Sequence, residues 1–231
     1  MNIYAISDLH LCISGAKPME IFGDGWSNYL EKIKEDWNSK VSDDDIVLIA
    51  GDISWAMKLE EAKLDLKYFE ELKGTKVLIR GNHDYWWQSI SNVRSALPTN
   101  TYALQNDAIK FGKYVICGTR GWNVPDSAFE DEQDEKIYKR EYLRIDMALS
   151  SAKRLCEDGD QIICMLHYPP YNHNKEYSDY VGLMQKYDAK ICVFGHIHSH
   201  KGNYNLYENL YGIDCYLTSC DLIQNKLVKI L

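Results

Sequence analysis

The chain has 231 residues, 45% hydrophobic and 26% charged, with a formal net charge of −8. That length is enough for one domain with a substantial core, expected here over 1–231, and the acidic balance disfavours a nucleic-acid binder, which usually carries a basic face. No apolar run approaches the roughly 20 residues that span a bilayer, and "MNIYAISDLH" lacks the basic-then-apolar pattern of a signal peptide.

Along the chain, a first strand is predicted in "NIYAIS" (2–7), followed by the irregular loop "CISGAKPMEIFGDGW" (12–26). Leu30, Ile33 and Trp37, at i, i+3 and i+7, then mark a helix. A strand in "DIVLIAG" (45–51) leads to a second helix, with Leu59, Ala62, Leu66, Phe69 and Leu72 on one face. Strands follow in "TKVLIRG" (75–81) and "KYVICGT" (113–119). The acidic stretch "PDSAFEDEQDEK" (125–136) reads as a solvated loop entering a helix whose first turn favours acids. That helix spans about 132–157, with Ile145, Leu149 and Ala152 on its stripe. Beyond it come "QIICMLH" (161–167) and "KICVFGH" (190–196), with helical signal fading after Gln185. "DCYLTS" (214–219) and "KLVKIL" (226–231) close the chain and can pair antiparallel. Alternating strands and helices imply an α/β fold with a mixed sheet, or two packed sheets, and layered helices. Seven scattered cysteines without a C-x-x-C pair fit reduced thiols and a cytoplasmic location.

The polar residues fall where the apolar runs stop. The strand ends read Asp8-Leu9-His10, Gly51-Asp52, Gly81-Asn82-His83-Asp84, His167, and Gly195-His196-Ile197-His198. They hold five of the seven histidines. Ligands of open α/β sheets bind at the carboxyl ends of strands, so these groups can converge. Two carboxylates, an amide oxygen and several imidazoles, with no thiolate, suit Mn, Fe, Zn, Co or Ni. There are too many donors for a single ion, so two metal ions sharing a bridging carboxylate are expected, a known clamp for phosphoryl hydrolysis. Gly51, Gly81 and Gly195 each precede a candidate ligand and permit a sharp turn or a close backbone approach.

In this order the motifs resemble those of the calcineurin-like metallophosphoesterases: D-x-H, G-D, G-N-H-D/E, H and G-H-x-H, spanning residues 8 to 198 with none degraded. The resemblance implies a four-layer αββα sandwich of two mixed β-sheets flanked by helices. It implies that Asp8, His10 and His198 bind one metal, that Asn82, His167 and His196 bind the other, and that Asp52 bridges them. It also implies a small phosphorylated substrate, either a phosphomonoester or a phosphodiester, attacked by a hydroxide held between the metals. His83 would then face the leaving group, with Asp84 holding its imidazole.

Arg120, set between two glycines in "GTRGW", is a candidate phosphate contact, or else it anchors a turn. Trp55, Trp86, Trp87, Trp122, Tyr168 and Tyr171 follow strand ends and either wall a pocket or roof the core. Of these, Trp86 and Tyr168 join Arg120 and His83 as expected substrate contacts. His173 and His200 read as accessory or surface residues, and Cys117, Cys164, Cys192 and Cys215 as core. The competing functions are a nuclease of the same family and a non-catalytic scaffold. The intact ligand set speaks against the scaffold and the acidic charge against the nuclease. No sequence feature fixes an oligomeric state.

Overall fold

Alternate side chains of a strand point to opposite faces, so a run that is apolar at every position needs cover on both sides. The computed structural model, which describes residues 1–13, 15, 17–129, 131–198 and 204–231, provides that cover with two sheets and five α-helices. The first sheet holds β1 (Ile3–Ile6), β2 (Ile46–Ile49), β3 (Thr75–Ile79) and β4 (Thr101–Leu104), all parallel and in that order. The strand β11 (Val228–Lys229) pairs antiparallel on the outer side of β1. The second sheet runs β5 (Asp107–Phe111), β6 (Tyr114–Gly118), β7 (Gln161–Met165), β8 (Ala189–Phe194), β10 (Ile213–Leu217) and β9 (Tyr207–Leu210). Only its two edge pairs, β5–β6 and β9–β10, are antiparallel.

The alternation sorts the core into three layers. Ile3, Ala5, Ile46, Leu48, Val77 and Ile79 face Ile116, Ile163, Met165, Ile191 and Val193 between the sheets. The intervening residues Ile6, Val47, Ile49 and Leu78 face outward, under α1 (Tyr29–Lys40), α2 (Leu59–Leu66) and α3 (Ile90–Ala96). On the opposite side, Val115, Ile162 and Phe194 lie under α4 (Glu132–Leu155) and α5 (Asp179–Lys186). This is the expected four-layer αββα sandwich. Cys117, Cys164, Cys192 and Cys215 form one in-register row across β6, β7, β8 and β10, buried under α4 and α5.

The helix expected through Leu72 ends as an α-helix at Leu66 and continues as a 3-10 turn over Lys67–Glu71. Phe69 and Leu72 stay buried on the same core, so packing holds the face even where the helix tightens. The acidic stretch enters α4 as expected. Asp131 caps the helix by accepting from Gln133 N–H at 2.8 Å, and Glu132, Asp134 and Glu135 occupy its first turn.

Candidate metal centre

Each parallel strand leaves its sheet through a tight turn, and the polar residues sit in those turns. Asp8 (φ 58°), His10 (46°), Asp52 (52°) and His196 (70°) all adopt the left-handed conformation. The loops after β1 and β2 are joined by backbone bonds: Asp8 N–H donates to Gly51 O at 3.0 Å, and His10 N–H to Asp52 O at 2.9 Å. The glycines act by their smallness. A Cβ on Gly81 would collide with the Asp52 carboxylate, and one on Gly195 with the side chains of Ser7 and Asp8.

The seven expected donors come together in this space. Ligand atoms of Asp8, His10 and His198 lie within 4.8 Å of one another, as do those of Asp8, Asp52 and His167. Asp52 Oδ2 is 3.8 Å from His10 Nε2 and 3.6 Å from His167 Nε2, between the two groups. Asn82 Oδ1 lies 2.6 Å from His167 Nε2 and 2.9 Å from His196 Nδ1. His198 Nε2 is 3.4 Å from Asp8 Oδ1, and its Nδ1–H donates to Asp221 Oδ1 at 2.9 Å.

The donor set fits cations. Burial holds His10 near pKa 3, His167 near 4 and His196 near 3, so all three rings are neutral at neutral pH. His167 donates through Nδ1–H to Ala50 O at 2.9 Å, which leaves an Nε2 lone pair facing the Asn82 oxygen. Two acceptors in contact are what a cation between them resolves. Burial, then the charges of Asp8 and Asp84, push Asp52 well above the ordinary carboxylate range. Burial also works to raise Asp8, but the His198 hydrogen bond and the surrounding imidazoles hold it well below that range. Burial alone would lower His198, yet its bonds to Asp221 and Asp8 raise it to about 10. A dication among these groups would remove the carboxylate repulsion that raises Asp52.

His83 is held by its backbone, not by Asp84. Its N–H donates to Asp52 Oδ1 at 2.8 Å, and its ring lies 4.7 Å from Trp55 and 5.7 Å from His10. Its Nδ1 is buried without a hydrogen-bond partner among the described residues. The expectation that Asp84 holds this imidazole is overturned. The fully buried Asp84 carboxylate accepts from Ile53 N–H (2.9 Å), Ser54 N–H (3.1 Å), Gly81 N–H (2.7 Å) and Trp86 Nε1–H (2.9 Å). It clamps the β3 loop to the β2 loop. Trp86 is also corrected: it is fully buried and cannot meet a substrate, and Trp87 packs beside it and donates to Gln105 Oε1 at 2.7 Å.

The aromatic wall comes instead from Trp26 and Trp55. With Met19 and Phe22 they enclose a cavity of about 260 Å³ over His10, His83 and His198. Trp55 stacks on His10 at 4.7 Å, with an interplanar angle of 19°. A second cavity of about 480 Å³ reaches His196 and takes in Tyr171, His173 and Lys175. Tyr168 is buried against His196 at 4.1 Å and lines neither cavity. Arg120 is likewise not brought to His83. Its guanidinium lies over Trp122 and 3.5 Å from Glu141, in a different cavity, while its carbonyl accepts from His167 and Tyr168 N–H. His200 lies outside the described residues. Sequence reasoning missed Trp26 and Asp221. Trp26 ends the irregular loop that follows the Asp-x-His motif, and Asp221 lies just past the end of β10, so the rule that found the other ligands also covers it.

The family model "Calcineurin-like phosphoesterase" matches residues 1–200. Among curated protein sequences, none matches the chain. Among solved structures, the protein TT1561 of Thermus thermophilus is 15% identical with a TM-score of 0.60, covering 98% of this chain and 96% of its own. A phosphopantetheinyl hydrolase of Mycobacterium tuberculosis is 13% identical with a TM-score of 0.55, covering 100% and 95%. The protein AQ665 of Aquifex aeolicus, of unknown function, is 15% identical with a TM-score of 0.51, covering 99% and 95%. At such identities these likenesses concern the fold. No helix among the described residues is long and apolar enough to cross a membrane.

Proposed function

The chain belongs to the calcineurin-like phosphoesterase family, and we propose that residues 1–231 act as one domain, a dinuclear-metal-dependent hydrolase of small phosphoric esters. Asp8, His10 and His198 hold one ion, Asn82, His167 and His196 hold the other, and Asp52 lies between them. The observation that carries this reading is the pair of donor groups that share Asp8, with Asp52 within 3.8 Å of an imidazole from each ion's proposed ligand set. Their mixed N and O chemistry suits Mn, Fe, Zn, Co or Ni. When bound, the ions would polarise the phosphoryl oxygens and activate water as the nucleophile.

The chain's own residues do the rest. Burial first, then the neighbouring cations, lower the pKa of His83 against the pull of Asp8, so its ring is neutral at neutral pH. It meets the leaving-group oxygen with an N–H hydrogen bond rather than a full positive charge. Trp26 and Trp55 exclude water around it and offer flat faces to the organic part of the ester. Asp84 fixes where Asn82 and His83 stand by holding Gly81 and Trp86. The buried thiol row suits the reducing cytoplasm.

The test begins with metal analysis of protein purified without chelator. p-Nitrophenyl phosphate, its bis ester and cyclic nucleotides are then assayed with Mn²⁺, on the native chain and on Asp52→Asn and His83→Ala. The expected result is two ions per chain and turnover of at least one ester class, with Asp52→Asn losing metal and His83→Ala keeping it but slowing turnover. No hydrolysis of any ester with both ions loaded would overturn the reading.

A further inference from the structure

Four arginines from three segments share one cavity of about 260 Å³. Arg80 follows β3, Arg120 lies just past β6, and Arg140 and Arg144 stand one turn apart on α4. Gln88 and Asn106 add amide groups to the lining. Among the described residues, the one buried carboxylate bonded to the cluster is Glu141, which accepts from Arg144 at 2.6 Å and lies 3.5 Å from Arg120. Four positive charges against Glu141 and Asp84, whose charge also acts on Arg80, leave a surplus of two, in a chain whose net charge is −8. The Nε–H groups of Arg80 and Arg120 are both buried with no acceptor among the described residues. Arginine does not escape that cost by losing its proton, and a buried N–H left without an acceptor costs free energy.

We propose that this cavity binds a phosphate group, either free inorganic phosphate or a second phosphoryl group of the substrate. Guanidinium forks from several directions match a tetrahedral oxyanion, and the cavity has room for a phosphoryl group. The site is tied through the backbone to the proposed metal centre. Arg80 adjoins Gly81 and Asn82, and the Arg120 carbonyl accepts from His167 N–H at 2.9 Å and Tyr168 N–H at 3.1 Å. Binding of free phosphate does not depend on the metal reading, because the cavity contains none of the proposed ligands, whereas the second-phosphoryl arm rests on the proposed hydrolase.

The test is titration of inorganic phosphate into the metal-stripped 231-residue chain in low-chloride buffer, followed by calorimetry. One saturable site is expected, weakened about tenfold in Arg144→Gln and in Arg140→Gln and unchanged in Asp52→Asn. Arg140 is on the exposed face of α4, so its variant carries the test if Arg144→Gln folds poorly. Absence of saturable binding, indifference to both arginine variants, or loss in Asp52→Asn would each overturn the proposal. Steady-state kinetics with Mn²⁺ then separate the two sources. A KM about tenfold higher in Arg140→Gln for a bisphosphorylated ester alone identifies a second substrate phosphate. A KM unchanged in Arg140→Gln for that ester and for a singly phosphorylated one identifies free phosphate.

Discussion

Replacing Asp84 with Asn separates a clamp from an imidazole holder. The carboxylate takes three N–H groups on Oδ1, from Ile53, Ser54 and Trp86, and one on Oδ2, from Gly81. An Asn can keep its oxygen toward the three, which sets its NH₂ against Gly81 N–H. Leaving that buried donor opposed costs about 2 kcal/mol. The three remaining bonds lose their charge assistance, at about 0.5 kcal/mol each. Burial raises the Asp84 pKa, so removing the charge returns part of this, and the net loss is about 2 kcal/mol. For a chain of 231 residues that lowers Tm by about 4–8 °C, measured by calorimetry on the metal-free chain. His83→Ala leaves all four bonds intact and is expected to change Tm by less than about 2 °C while lowering kcat. The two stability losses should add within about 0.5 kcal/mol, whereas Asp84→Asn and Trp86→Phe, which share a bond, should not. If Asp84→Asn left Tm within about 1 °C of the native value and lowered kcat no further once His83 was gone, the clamp would be wrong.

Asp221→Asn weakens the bond that orients His198, so metal affinity is expected to fall about 10- to 100-fold, read by competition with a chelating dye. His198, raised to about 10, is protonated at neutral pH in the metal-free chain and must lose that proton to bind an ion. Calorimetry in buffers of different ionisation enthalpy should therefore detect proton release, with affinity rising with pH from roughly 6 to 8. His10, His167 and His196 have the opposite sign. Their folded pKa values, about 3, 4 and 3, lie below the unfolded value of 6.5, so these three rings take up about three protons on unfolding between roughly pH 4 and 6, while Asp52 and Asp84, raised in the folded chain, release protons and offset part of that uptake without reversing it. Stability of the metal-free chain thus rises with pH through that window and is lost on acidification, and a flat urea midpoint across it would refute the assignment. Trp55→Ala opens the wall over His10 and is expected to raise KM for aryl phosphoesters about tenfold with metal content unchanged.

The interior strands were legible because both their faces are buried, which writes an unbroken apolar run into "DIVLIA" or "IICML". Edge strand β11 falls within the expected "KLVKIL", but the edge strands β4, β5 and β9 were not legible. Every residue of β5 is half-exposed, and it carries Asp107 and Lys110; β9 alternates exposure and carries Glu208, so neither reads as apolar. All seven expected metal donors meet in space because each stands where a parallel strand ends, a position that follows from the chain order of strand and residue type. Side-chain direction does not follow from that order. "HDYWW" places Asp84 next to His83 and two tryptophans after it, yet one carboxylate turns back to four N–H groups and both indoles turn into the core. The wall over the site comes from Trp26 and Trp55, on other loops, whose meeting depends on how those loops close.

The left-handed backbone at Asp8, His10, Asp52 and His196 narrows which residues can occupy the centre. That conformation strongly disfavours β-branched side chains, and among non-glycine residues it favours Asn, Asp and His. Two filters therefore act at the same positions, one from coordination and one from the peptide chain. Glu, a competent metal ligand elsewhere, is less favoured by the second, and Gly passes the second but brings no donor. The alternatives open to drift at these four sites are then few, mainly exchanges among Asp, Asn and His. A relative of this fold with no use for ions would be free to relax the same four residues to glycine, so the donors at these four positions agree with the proposed metal centre.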